Sequence, residues 1–304
     1  MKRFKGYLIT ITAAVGFGIQ PLLASFAFEY GVGSLLLALA RVALMVPVFA
    51  VIVLLRGERF LLSARDAACI AFLALTGAAL TTGLLFTSYS MIDTGTATTL
   101  NFSYPVFVLA LGAIFYREKI GKTTWVSFAL CIAGVLLFCN PSGAFSWKGF
   151  WLALGSGLTY GIYVLLLDKS RILDRVGFYP FTFYFFLFSF LMLLPFVWIK
   201  GELQLTLPGT AWLLLVLFAL DGGIIATVLL QVGIREIGSG RAAIIGALEP
   251  VTSVILGAIF LRETIRLSGI IAMLLIISST VLLIAADKEK SPAGLPEKQK
   301  ESAI

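Results

Sequence analysis

The chain has 304 residues, no histidine, 23 lysines and arginines against 16 acidic residues, 60% hydrophobic side chains and only 13% charged ones. A soluble domain averages about 25% charged residues. The balance excludes an ordinary cytosolic domain, a disordered chain and a secreted disulfide scaffold, and leaves a polytopic membrane protein.

Apolar runs long enough for a helical span, about 20 residues, occur at 6–26, 33–55, 67–90, 94–116, 122–139, 148–167, 177–199, 211–231, 238–261 and 267–286. The predicted fold class is therefore an all-α polytopic membrane protein with ten transmembrane helices. Lys2, Arg3 and Lys5 before the first run, with Ser25-Phe26-Ala27 near its end, also fit a signal peptide. The first run has a counterpart later in the chain, which favours a membrane helix. Residues 287–304 mix Lys, Glu, Pro and Ser with almost no large apolar side chain and predict a disordered cytoplasmic tail.

With the N-terminus inside, 18 basic residues fall in cytoplasmic segments and four (Lys148, Lys200, Arg262, Arg266) in outer ones, while Arg41 lies within a span. By the positive-inside rule both termini are cytoplasmic. A bacterial cell (inner) membrane is the expected location.

The missing histidines remove HExxH zinc sites, histidine-containing triads and imidazole relays. Cys69, Cys131 and Cys139 lie in apolar runs without CxxC spacing and read as buried thiols. Gly121-Lys122-Thr123 resembles the end of a phosphate-binding loop, but Tyr116 stands where that motif needs glycine. Asp221 lacks the GxGD setting of an intramembrane aspartyl protease. No enzyme, cofactor, metal or nucleic-acid partner is expected.

The chain repeats itself. Shifted by 145 residues, Gly95–Ile120 lies on Gly240–Ile265 with 12 of 26 positions identical, including Pro105 with Pro250 and Glu118 with Glu263. A shift of 143 places Ala14-x-x-x-Gly18 on Gly157-x-x-x-Gly161. Five spans per repeat is an odd number, so the second half enters the membrane from the opposite side. Inverted repeats of this kind hold a substrate site near the midplane in many secondary transporters. The predicted domains are 1–140 (spans 1–5), 141–286 (spans 6–10) and the tail. The small-residue pairs read as close packing of spans 1 and 6. Pro105 and Pro250 read as helix kinks that free the carbonyls of Asn101 and Gly246. Those carbonyls face a polar cavity or a bound partner, or else the kinks shape packing alone.

With its two segments TTLNFSYPVFVLALGAIFYRE and IIGALEPVTSVILGAIFLRE, the chain resembles the EamA branch of the drug/metabolite transporter superfamily over about residues 6–286. The resemblance implies two five-helix EamA repeats and a cavity lined mainly by spans 1, 3, 4, 6, 8 and 9. It also implies export or exchange of small metabolites, commonly amino acids or drug-like compounds.

Charged groups deep in a span are functional candidates by default. Glu249 lies midway along span 9 beside Pro250, Asp221 midway along span 8 before Gly222-Gly223, and Arg41 about a third of the way down span 2. Glu249 binds a cationic group or a proton, or forms a structural ion pair with Arg41. Arg41 also has a stem long enough to snorkel outward. Gln20, Tyr89, Asn101, Tyr104, Tyr160, Tyr163 and Gln231 complete the candidate substrate-binding set. Tyr104 stands where the second half has Glu249, so the halves differ at the site. Phe181, Phe183, Phe185, Phe186, Phe188 and Phe190 in span 7 have no polar partners there and read as lipid-facing. Glu118 and Glu263, beside Arg117 and Arg262, read as interfacial groups at span ends.

The resulting expectation is an exporter that moves a small organic solute by alternating access, with proton coupling through Glu249 or Asp221. Its partners are the solute and the lipid bilayer, with a homodimer allowed. The alternative is a non-transporting membrane scaffold or sensor, whose mark would be an added soluble domain.

Overall fold

Inside a bilayer a backbone amide finds no water, and a helix satisfies its own donors and acceptors. The apolar runs accordingly fold as helices. The computed structural model describes residues 2–89, 91–92, 97, 100–118, 120–138, 146–204, 206–260, 262 and 267–289. Among these, seven helical stretches are long and apolar enough to cross a membrane: Phe4–Glu29, Ser34–Leu55, Ala64–Leu85, Trp147–Lys169, Phe178–Ile199, Gly209–Ile237 and Ser239–Phe260. Three shorter ones are Tyr104–Tyr116, Lys122–Leu137 and Leu267–Leu282. Each falls on one of the ten runs read from the sequence. Residues 290–304 of the expected tail, Cys139 and Glu263 lie outside the described residues, and the last helix runs on to Glu289.

In detail the chain forms α1 (Lys2–Glu29), α2 (Ser34–Ala43), α3 (Met45–Leu55), α4 (Ala64–Ala74), α5 (Thr81–Tyr89), α6 (Tyr104–Tyr116), α7 (Lys122–Phe138) and α8 (Trp147–Lys169). It continues with α9 (Ile172–Val176), α10 (Phe178–Ile199), α11 (Gly209–Leu220), α12 (Leu229–Ile237), α13 (Ser239–Gly246), α14 (Leu248–Phe260) and α15 (Leu267–Glu289). Two π-helical segments widen the helix: Leu75–Leu80 joins α4 to α5, and Asp221–Val228 joins α11 to α12.

The two halves share these irregularities. The widened turns stand in equivalent places, and each is tied by a threonine. Thr81 Oγ1 donates to the Thr76 carbonyl (2.6 Å) and Thr227 Oγ1 to the Gly222 carbonyl (2.7 Å), both five residues back. Left-handed backbone recurs in pairs too: Gly31 (φ 81°) with Gly177 (φ 89°), Gly57 (φ 65°) with Gly201 (φ 70°), and Arg117 (φ 52°) with Arg262 (φ 56°). Glycine adopts this conformation without steric cost. The arginines do so two residues after the run Leu-Gly-Ala-Ile-Phe that both halves carry.

Packing exchanges partners between the halves. Helix α1 lies against α14, where Gly18 meets Thr252 and a Cβ on Gly18 would sit 2.7 Å from the Glu249 carbonyl. Helix α8 lies against α6, where a Cβ on Gly157 would sit 2.8 Å from the Asn101 carbonyl and one on Gly161 3.2 Å from that of Tyr104. The small residues of spans 1 and 6 thus admit spans 9 and 4, not each other. The same exchange joins α1 to the Asp221–Val228 segment and α12, and α8 to the Leu75–Leu80 segment and α5. Helices α7 and α15 pair, with Ser279 Oγ donating to the Ser127 carbonyl (2.6 Å).

Helix α10 corrects an expectation. Phe181, Phe185 and Phe186 are buried, and Phe183, Phe188 and Phe190 pack partly buried against the same core with Met45, Phe49, Ile70 and Leu73. The helix packs on α2, α3 and α4. It is apolar all round, so its sequence carries no stripe that tells core from lipid.

Candidate functional site

Between the halves lies a cavity of about 760 Å³. Both halves line it: Phe17, Gln20, Arg41, Thr81, Thr82, Asn101 and Tyr104 from the first, and Tyr160, Tyr163, Phe185, Phe186, Thr227, Glu249, Pro250 and Ser253 from the second. Seven polar candidates named from the sequence therefore converge: Gln20, Arg41, Asn101, Tyr104, Tyr160, Tyr163 and Glu249. Spans 2 and 7, absent from the expected lining, contribute Arg41 and the Phe185–Phe186 pair.

Broken helices bring Tyr104 and Glu249 here. Pro105 is the second residue of α6 and Pro250 the third of α14. A proline in a first turn lacks only an amide the helix does not use. The prolines therefore stand in the first turns of helices, and the bend in the chain falls just before each. The chain turns just before each: Ser103 N donates to Leu100 O (3.1 Å) and Ala247 N to Ile244 O (3.2 Å). The break at Ala247 leaves the Ala243 carbonyl without its usual amide, and the Tyr104 hydroxyl donates to it (3.2 Å). That hydroxyl also occupies the space a side chain at Gly246 would need. The Asn101 carbonyl faces the backbone of α8 at Gly157, so it serves packing and not a ligand. Its side chain donates to Ser156 Oγ (2.9 Å).

One wall is aromatic. Tyr104 meets Tyr160 edge to face (centroids 4.9 Å, 84°), Tyr160 tilts on Tyr163 (5.8 Å), and Tyr163 on Phe185 (5.4 Å). Gly77 lies against the Tyr163 ring, where a Cβ would come 2.6 Å from Cδ2. The charged groups are Arg41 and Glu249. Arg41 Nη1 donates to Gln20 Oε1 (3.3 Å), and among the described residues no ion pair joins it to Glu249. Glu249 sits in the first turn of α14, where the free amides of a helix start favour negative charge.

The remaining candidates lie elsewhere. Gln231 is fully buried behind the wall, accepting from Thr182 Oγ1 and donating to the Tyr163 hydroxyl (both 3.3 Å), so it positions Tyr163. Asp221 is buried but does not line the cavity. The side chain of Tyr89 and all of Glu263 lie outside what is described. Sequence reading missed Thr81, Thr82, Thr227 and Ser253. Thr81 bonds back to its own helix and to Thr159 Oγ1 (2.8 Å), and such hydroxyls are hard to tell from packing residues.

A polar cluster closes the far end of the helices. Lys169 pairs with Glu118 and with Asp168 (3.4 Å), Ser239 donates through N and Oγ to Asp168 (3.1 and 2.8 Å), Arg175 pairs with Asp66 (3.0 Å), and Arg235 with Asp174 (2.9 Å). Two of these, Lys169–Glu118 and Arg175–Asp66, join one half to the other.

Comparison with known proteins gives the context. The model of the EamA-like transporter family matches residues 4–139 and again 147–285. An uncharacterized transporter of Synechocystis sp. is 31% identical over 210 residues, 66% of this chain and 61% of that protein. The uncharacterized inner membrane transporter YicL of Salmonella typhimurium is 24% identical over 299 residues, covering 95% of this chain and 98% of its own. The chloramphenicol-sensitive protein RarD of Pseudomonas aeruginosa is 28% identical over 54% of this chain and 53% of its own. A crystal structure of a protein superposes with a TM-score of 0.76 at 17% identity, covering 91% of this chain and 97% of that one, a likeness of fold alone.

Proposed function

Because the chain belongs to the EamA-like transporter family, and is an integral membrane transporter and not an enzyme, we propose a transport cycle for it. Residues 1–140 and 141–286 act as two inverted five-helix repeats, and a small organic solute is carried outward by alternating access between them. The membrane is a bacterial inner membrane, with both termini in the cytoplasm. The 18-to-4 division of basic residues supports this orientation. The observation that carries the reading is the cavity between the halves, into which Glu249 and Arg41 both project.

The cavity's chemistry suits an amino-acid-like or drug-like solute. Glu249 receives a cationic group, Arg41 an anionic one, and the Tyr104–Tyr160–Tyr163 wall an apolar or aromatic body. Gln20 and Asn101 orient polar groups. In the proposed orientation the lining runs from mid-membrane to the outer ends of the helices, through Ser25, Phe28 and Ser34. The ion-paired cluster around Lys169 lies at the inner end. The conformation is then open outward, with the solute's cytoplasmic entrance shut.

The test is current from proteoliposomes on a solid-supported membrane. Pools of amino acids, nucleosides, vitamins and organic cations are applied to wild type and to Glu249→Gln. One pool is expected to give a current that the variant loses. Silence there, followed by silence in radiolabelled counterflow with the same pools, would overturn the reading.

A further inference from the structure

Outside the cavity lies a buried carboxyl group, one oxygen of which has no hydrogen-bond partner among the described residues. Asp221 opens the second widened turn, is 8% exposed, and its Oδ2 makes no hydrogen bond. Its equivalent in the first half, Leu75, is apolar. The repeat therefore does not require an acid here.

The neighbours of Asp221 connect it to the solute site. A Cβ on Gly222 would sit 2.6 Å from Arg41 Cδ, so the arginine stem lies on the backbone beside Asp221. The Gly222 carbonyl accepts from Thr227, which lines the cavity. Gln20, which holds the Arg41 guanidinium, has a buried Nε2 that is itself unpartnered. Charged or titratable groups on the elements packed against this segment are few. Helix α1 has Lys2, Arg3, Lys5 and Tyr7 in its first turns and Glu29 at its end, α12 has Arg235 and Glu236 at its end, α11 has none, and α2 has Arg41. Among the described side chains of these elements, Arg41 has its stem on the segment, at Gly222.

A buried ionised carboxylate without a partner is far costlier than a neutral carboxyl group. We propose that Asp221 is the proton-binding site of the transport cycle, separate from the solute cavity and linked to it through Arg41. The inference rests on the transport reading above. With the proton on Oδ2, Arg41 stays on Gln20 and faces the solute. When the proton leaves toward the cytoplasm, the carboxylate draws Arg41, whose stem already lies at Gly222. Arg41 then turns from the cavity to Asp221, and the solute site loses its cation. Re-protonation from the outer side restores it, so one proton moves inward per cycle against the outward solute.

Infrared titration of the purified full chain in lipid nanodiscs tests the site without a solute. The difference between wild type and Asp221→Asn is expected to hold a protonated-carboxyl band that disappears as pH rises, and the same band is expected when the two are compared in a Glu249→Gln background. Titrating spectra identical in wild type and Asp221→Asn overturn the proposal. Asn replaces a neutral carboxyl group of the same shape, and a monodisperse elution profile checks folding. If it fails, Asp221→Glu must shift the band and keep it, or the proposal falls. In proteoliposomes a gradient of one pH unit supports about tenfold accumulation per coupled proton. With a radiolabelled mixture of the common amino acids, wild type is expected to accumulate label to that extent and Asp221→Asn to equilibrate only. Accumulation retained in the variant, or driven by a sodium gradient instead, overturns it. Absence of wild-type counterflow with the mixture counts against the solute reading, and the infrared result then decides the proton site alone.

Discussion

At the scale of single residues, the site is built on contrasts between positions that the repeat makes equivalent. Tyr104 and Glu249 share a place in their halves, as do Asn101 and Gly246. Gly246 has no side chain because the Tyr104 hydroxyl fills its space and caps Ala243. Tyr104→Phe should therefore leave a buried carbonyl unpaired, at about 1–3 kcal/mol, read as a lowered melting temperature in detergent. A comparable penalty belongs to Gly157→Leu, whose Cβ meets the Asn101 carbonyl at 2.8 Å. Overpacking of this kind costs about 1–3 kcal/mol and moves backbone. The same substitution at Gly209, which has nothing within 4 Å, should leave the melting temperature nearly unchanged. Equal shifts in the two variants would refute the packing argument.

The charged members of the site were legible in the sequence because a charge in a long apolar run stands out whatever the fold. Glu249 and Arg41 reached the cavity for that reason. Asp221 stood out equally, yet it lies behind the lining, because α11 is apolar on all sides and gives no sign of which face turns inward. The phenylalanines of α10 were misread for the same cause. Thr81 and Thr227 were invisible, since nothing in their sequence marks a helix that widens.

At the scale of elements, the widened turns and the broken helices place polar groups at mid-membrane without exposing backbone to lipid. Widened turns of this kind are frequent at functional sites. Each is held by one threonine hydroxyl. Thr81→Val and Thr227→Val should each lower stability by about 1 kcal/mol, measured by differential scanning fluorimetry. The loss at Thr81 should be the larger, since its hydroxyl also bonds Thr159 Oγ1 (2.8 Å). A loss at one site only would mean that the second turn is held by something else. The ten apolar runs were read correctly as helices, and the prolines marked a bend in two of them without fixing its place. A proline before a helix and a proline within one look the same along a chain.

At the scale of the whole molecule, the halves touch through exchanged partners, and the ends that the proposed orientation places inside are joined by Lys169–Glu118 and Arg175–Asp66. Both pairs are partly exposed, so each contributes about 0–1 kcal/mol and weakens with salt. Lys169→Ala should loosen inner closure by up to about fivefold. The readout is a cysteine at Leu109, a buried residue 3.1 Å from a Cβ at Gly240, introduced after the native cysteines are replaced. A membrane-impermeant maleimide applied from the cytoplasmic side should label it faster in Lys169→Ala than in its parent, and high salt should raise the rate in the parent. Equal labelling would show that these pairs do not hold the inner face shut.

The paired left-handed turns and the paired widened turns bear on what the two halves have in common. A feature present at the same place in both halves belongs to the unit that the family model matches twice. Arg117 with Arg262 and Thr81 with Thr227 belong to that shared unit. Glu249, Asp221 and Arg41 have no charged counterparts at 104, 75 and 186. The scaffold of this protein is thus common to its halves and its charges are not, so the chemistry of one half can change while the turns that carry it stay.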